Sequence, residues 1–135
     1  MKTSVRMGLG VLVATAALAF APGRALAQDP VKITPKDYKV LLENDKVRVL
    51  EFRDKSGGKE AMHSHPAYVV YSFTDSKRKI TTPDGKSEVR ELKAGQATWR
   101  EAVTHATVNV GTSETHVLIV EIRGPPEKMA PPKKY

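Results

Sequence analysis

The chain has 135 residues, with 22 Lys or Arg against 15 Asp or Glu and a formal charge of +7, a size that suits one domain with a modest core. Its basic residues are scattered among acids and its aromatics, 6% of the chain, are too dispersed to stack bases, which argues against a nucleic-acid partner. The absence of cysteine excludes disulfides, thiolate metal ligands and a cysteine nucleophile, leaving histidine and carboxylate for any chemistry.

Residues 1–27 carry the three parts of a secretory signal peptide: basic Lys2 and Arg6, an apolar run from Leu9 to Phe20, and Ala25-Leu26-Ala27 before Gln28. The run is short and is followed by Pro22 and Gly23, so cleavage and export to the periplasm or medium are expected, with no stable membrane span afterwards. Removing Lys2, Arg6 and Arg24, and no acid, would leave a mildly basic mature chain of about +4.

Residues 28–39 read as an N-terminal extension and 40–123 as the folded domain. Short runs of β-branched and aromatic residues separated by turns predict strands at Tyr38–Glu43, Val47–Arg53, Glu60–His65, Tyr68–Thr74, Lys77–Thr82, Lys86–Lys93, Gln96–Glu101, His105–Val110 and Thr115–Arg123. Turn chemistry supports the breaks at Glu43-Asn44-Asp45, Ser56-Gly57-Gly58, Pro83-Asp84-Gly85 and Gly111-Thr112-Ser113-Glu114. The short last turn predicts a hairpin that sets His116 opposite Asn109, roughly 13 Å of strand away from His105. From Gly124 to Tyr135 the sequence is rich in proline and charge, unsuited to a sheet, and reads as a flexible tail.

His63 and His65 are two residues apart on a predicted strand, so both rings point to one face. His105, on a later strand, can bring a third imidazole to that face, and Asn109 follows it in the same parity. Two ligands on one strand and a third on a spatial neighbour can hold a metal inside a barrel.

On these residues the sequence resembles the cupin superfamily. Its first motif runs Gly, five residues, His-x-His, three or four residues, Glu; its second ends in His-x-x-x-Asn after an earlier Gly and Pro. Gly57 or Gly58, His63, His65, Gly95, His105 and Asn109 match, over roughly Val47 to Arg123. The chain looks similar to the small single-domain cupins of the β-alanine-degradation type, in stretches such as His63-Ser64-His65-Pro66 and Pro83-Asp84-Gly85-Lys86. It departs from the pattern where Val69 and Val70 replace the glutamate and where Glu101 stands in place of the proline.

The resemblance implies an all-β, double-stranded β-helix, the cupin jelly-roll barrel, of about nine short antiparallel strands. It implies His63, His65 and His105 as ligands of one divalent transition metal. Neutral imidazoles suit Fe, Zn, Mn, Ni or Cu and disfavour Ca and Mg, which take oxygen ligands. Strand parity makes Trp99 an interior residue and Tyr71 and Phe73 interior aromatics, with Tyr71 bordering a pocket; Glu101, on a loop that approaches the metal, reads as an exposed loop acid, the alternative being a carboxylate ligand or general base. No cluster of Arg and Tyr stands out along the sequence to specify a thiol or amino-acid substrate.

Two functions follow as expectations. One is a three-histidine, metal-dependent oxidoreductase acting on a small organic molecule, as three-histidine cupins resemble non-haem iron dioxygenases; the other is a non-enzymatic module that binds or senses a small ligand or metal. A homodimer is compatible with either. If the export reading holds, intact-mass analysis of exported protein will show a chain beginning close to Gln28 rather than at Met1.

Overall fold

The computed structural model describes residues 28–124; the proposed signal peptide and the tail beyond Gly124 lie outside them. Its elements are α1 (Pro30–Ile33), β1 (Tyr38–Glu43), β2 (Val47–Asp54), β3 (Lys59–His65), β4 (Tyr68–Ser72), β5 (Ser76–Thr81), β6 (Ser87–Leu92), β7 (Ala97–Arg100), β8 (Val103–Asn109) and β9 (Thr115–Ile122). All pairings are antiparallel, in a five-stranded sheet of order β1-β2-β9-β4-β7 and a four-stranded sheet of order β3-β8-β5-β6. The two sheets face each other as the double-stranded β-helix expected from the sequence.

The sheets contribute different chemistry to the space between them. The continuous apolar cluster, Tyr38, Leu50, Phe52, Tyr68, Val70, Val117 and Ile119, comes entirely from β1, β2, β4 and β9 of the larger sheet. The smaller sheet turns Glu60, His63, His65, Arg78, His105, Thr107 and Asn109 inward, with Ile80 as its buried aliphatic residue. Register orders the larger sheet into transverse rows. Arg48, Glu121, Tyr68 and Arg100 lie side by side, then Leu50, Ile119, Val70 and Thr98.

The expected hairpin of His105–Val110 with Thr115–Arg123 does not form. β8 pairs with β3 and β5, whereas β9 pairs with β2 and β4 in the other sheet, so the Gly111–Glu114 turn crosses between sheets. Asn109 makes that crossing possible: its Oδ1 accepts from Gly111 N at 3.0 Å and its Nδ2 donates to Ser113 O at 2.9 Å. His116 consequently sits opposite Arg53 on the outer face of the larger sheet, not opposite Asn109.

Residues 28–39 are packed onto the barrel. Asp29 caps α1 through Val31 N, Gln28 O accepts from Ser64 N at 2.9 Å, and Tyr38 belongs to the apolar cluster. The two candidate motif glycines serve distinct ends. Gly57 takes φ +78° in the β2–β3 turn, and a Cβ on Gly58 would stand 2.5 Å from Asp54 Oδ2.

Leu50 is wholly enclosed in the apolar cluster, so Leu50→Ala is expected to lower unfolding free energy by about 2–5 kcal/mol. Trp99, exposed on the outer face, is expected to cost about 1 kcal/mol or less on replacement by Ala. Urea titration of both variants checks the pair.

Candidate metal centre

His63 and His65 come from β3 and His105 from β8, directly opposite His63 in the ladder. All three are buried, and their ligand-capable nitrogens lie within 4.8 Å of one another. Alternation alone would not achieve this together with an inward Glu60, because Glu60 and His63 are three residues apart. A β-bulge between them resets the phase. The bulge also presents the Ala61 carbonyl 2.8 Å from His63 Nδ1, so that nitrogen is the protonated donor and Nε2 carries the lone pair.

His65 is oriented in the same sense from the opposite sheet. Its Nδ1 lies 2.7 Å from Glu121 Oε1, and Glu121 in turn accepts from Arg48 Nε at 2.6 Å, while Arg48 also reaches Asp29 at 2.8 Å. Burial works against ionisation of Glu121, but the bonds from His65 and Arg48 outweigh it and hold the carboxyl below the usual range. With both Nδ1 atoms committed as donors, the two Nε2 lone pairs point at one region only 3.1 Å apart.

Burial, reinforced by the facing His63 and His65 and by Arg90 and Arg78, pushes the His105 imidazole down to about 3. Burial likewise lowers His63. Neutral rings are the form in which histidine ligates metal. His105 Nδ1 is buried with no hydrogen-bond partner, an unsatisfied polar atom on the third ring of the cluster. Ligand nitrogens about 2.0–2.1 Å from a common ion at angles near 90–110° are separated by about 3 Å, so the His63 and His65 spacing suits shared coordination. The donor set fits a borderline divalent transition metal.

The glutamate of the first cupin motif has no spatial substitute at its own position. Val70 belongs to the apolar cluster, Val69 is on the opposite face, and Tyr68 packs on His65 with ring centroids 5.0 Å apart. Besides Glu121, a second carboxylate near the histidines is Glu60, with Oε1 3.9 Å from His63 Nε2. It is held by Tyr38 Oη at 2.6 Å and by Arg78, which also bonds Asp54 at 2.7 Å. Burial, then the charge of Glu60, raises the Tyr38 phenol well above its ordinary range, so it stays protonated and donates.

The three candidates for the pocket wall lie elsewhere. Tyr71, Trp99 and Glu101 are exposed and do not line the interior cavity. Tyr71 stacks edge-on with Phe73, itself exposed and packed on His116, and Trp99 Nε1 donates to Glu101 at 2.7 Å. The phase of β4 and β7 is opposite to that expected, since Tyr68, Val70, Thr98 and Arg100 are the inward residues. Choosing the face with the larger aromatics misleads where the interior is partly polar.

A cavity of about 80 Å³ lies beside the histidines, bounded by His65 and His105, by Tyr38, Tyr68 and Glu60, and by Arg78, Arg90 and Arg100. A grouping of Arg and Tyr, invisible along the sequence, is thus assembled by register. Tyr68 pairs with Arg100 and Arg78 with Arg90. The available signal was the inward parity of those residues.

Similarity to known proteins agrees with this architecture. A cupin domain from Bordetella pertussis is 31% identical, with a TM-score of 0.59, over 64% of this chain and 92% of that one. A double-stranded β-helix protein from Klebsiella pneumoniae (22% identical, TM-score 0.52, 64% and 76% covered) and an RmlC-like cupin from Methanocaldococcus jannaschii (12%, 0.52, 64% and 78%) share the fold. No family model matches the chain, and no curated protein matches it. The chain belongs to the cupin superfamily.

Arg78 bridges two buried carboxylates and is itself 11% exposed at the side chain. Its replacement by Ala is expected to destabilise the fold by about 3–5 kcal/mol, because Asp54 and Glu60 would be left without their cation. Chemical denaturation checks the size of the loss. Tyr38→Phe, which removes a single donor to Glu60, is expected to cost about 1–3 kcal/mol in the same assay.

Proposed function

We propose that the protein is an exported metal-binding cupin in which His63, His65 and His105 hold one divalent transition metal, Fe, Zn, Mn, Ni or Cu, and that it acts as a metal-dependent, dioxygenase-like oxidoreductase on a small organic molecule. The observation that carries the metal is the convergence of two Nε2 lone pairs 3.1 Å apart, with a ligand-capable nitrogen of the buried His105 within 4.8 Å of them. A bound metal would supply Lewis acidity and, for iron or copper, redox chemistry with oxygen. The chain's own contribution is to fix the tautomers of His63 and His65 through Ala61 O and Glu121, disfavour protonation of His63 and His105 by burial, and leave a cavity against the ligands.

A second reading, a module that binds or senses a small ligand or metal without turnover, is favoured by one feature. Both carboxylates near the histidines are engaged, Glu60 with Arg78 and Tyr38, Glu121 with Arg48 and His65, so neither is free as a general base. Chemistry that needs no protein base, or no chemistry at all, is compatible with that arrangement. Export and the kinship with β-alanine-degradation-type cupins rest on the sequence patterns alone.

Elemental analysis of protein purified without added metal should give about one transition metal per chain. His63→Ala, His65→Ala and His105→Ala should each abolish it, whereas His116→Ala should keep it, as its Nε2 lies 2.9 Å from Glu51 on the outer face. Full metal in all three inner variants, folded by circular dichroism, would sink the site. Oxygen uptake by the iron-loaded protein with small thiols and diketones separates the enzyme from the binding module.

A further inference from the structure

The transverse row Arg48–Glu121–Tyr68–Arg100 is balanced at one end and not at the other. Arg48 is paired with Glu121 and Asp29, and across the barrel Arg78 is paired with Asp54 and Glu60. Arg100, half-buried on β7, faces the cavity with no hydrogen-bonded or ion-paired carboxylate among the described residues; the acid next to it in sequence, Glu101, is turned outward to Trp99. Arg90 on β6 also lines the cavity, paired only with the exposed Glu88. β6 and β7 are edge strands of the two sheets, and the guanidinium groups they carry line the same cavity.

We propose that the cavity takes a small carboxylic acid, with its carboxylate held by Arg100 and drawn in by Arg90, and its apolar body against Val70, Ile80 and Ile119. A guanidinium offers a planar pair of donors matched to a carboxylate, and in a half-buried setting an unpaired one leaves charge that an anionic ligand neutralises. The cavity of about 80 Å³ is several times the ~10–15 Å³ that one enclosed water requires, which gives room for roughly five to eight non-hydrogen atoms. The aliphatic wall distinguishes an acid with a short carbon chain from inorganic phosphate, which would leave that wall in contact with oxygen. This assignment names the ligand class of the proposed metal site, and rests on that reading for the metal at its inner end.

Calorimetric titration of the full chain, with and without one equivalent of zinc, decides the matter. The probes are acetate, butyrate and pyruvate, their neutral amides acetamide, butanamide and pyruvamide, and inorganic phosphate. At least one acid should bind tenfold or more tightly than its amide and than phosphate. Arg100→Gln should erase that preference with zinc content unchanged, Arg100→Lys should restore part of it, and Arg90→Gln should weaken all acids by a smaller factor. Equal binding of acids and amides, phosphate binding tightest, or an Arg100→Gln protein that keeps the preference would overturn the assignment. If Arg100→Gln fails to fold, Arg100→Lys carries the same test, since loss of the forked donor should still cost several-fold. Failure of wild-type protein to bind zinc would remove the metal site alone; acid against amide on the metal-free chain would still decide for or against Arg100.

Discussion

Inside the barrel Arg48, Asp54, Glu60, Arg78 and Glu121 are nearly sealed from water, and each is matched to an opposite charge. Such pairs contribute little net stability against apolar replacements, yet the loss of one member is severe, because the other is left as an uncompensated buried ion. Their pairing is what permits an interior half built of polar side chains. Glu121 turns His65 toward His63, Glu60 anchors Arg78 within the smaller sheet, and Asp54 ties it to the larger one. The apolar wall from the larger sheet supplies cohesion, and the charge pairs determine which way the imidazoles look.

The site is therefore supported from both sheets. His63 depends on a bulge carbonyl within its own strand, whereas His65 depends on a carboxylate that is presented by β9 and steadied by Arg48 and Asp29. Buried imidazoles with tautomers already fixed, as at His63 and His65, would need no rearrangement to accept an ion, which would favour tight and geometrically selective binding. The cations left without interior partners sit on β6 and β7, edge strands of the two sheets, and line the cavity.

Strand boundaries were legible because turn residues and β-branched runs are local signals; Tyr38–Glu43 was read to the residue, and the other strands to within one or two. The His63–His65 pair was legible because a period of two needs no tertiary knowledge. Three things were not. The pairing of β8 and β9 was misread because a four-residue turn looks like a hairpin, and only the Asn109 bonds reveal that it crosses between sheets. The phase of β4 and β7 was misread because Phe73 and Trp99 on the outer face are more apolar than the Ser72 and Arg100 that face inward. The carboxylates Glu60 and Glu121 were overlooked because a buried acid is identified by its partners, and those lie 18 and 73 residues away in Arg78 and Arg48.

The strand order bears on how the chain reaches this state. β9, the last strand among the described residues, occupies the centre of the five-stranded sheet between β2 and β4, and it carries the Glu121 that orients His65. A nascent chain lacking its final strand would leave both neighbours with open edges, prone to pair with other molecules. Folding must then await the C-terminal strand and close loops that span most of the domain, as expected of a slow, topology-limited reaction. For the same reason a truncation that removes β9 would lose far more than its length suggests, since it divides the larger sheet in two.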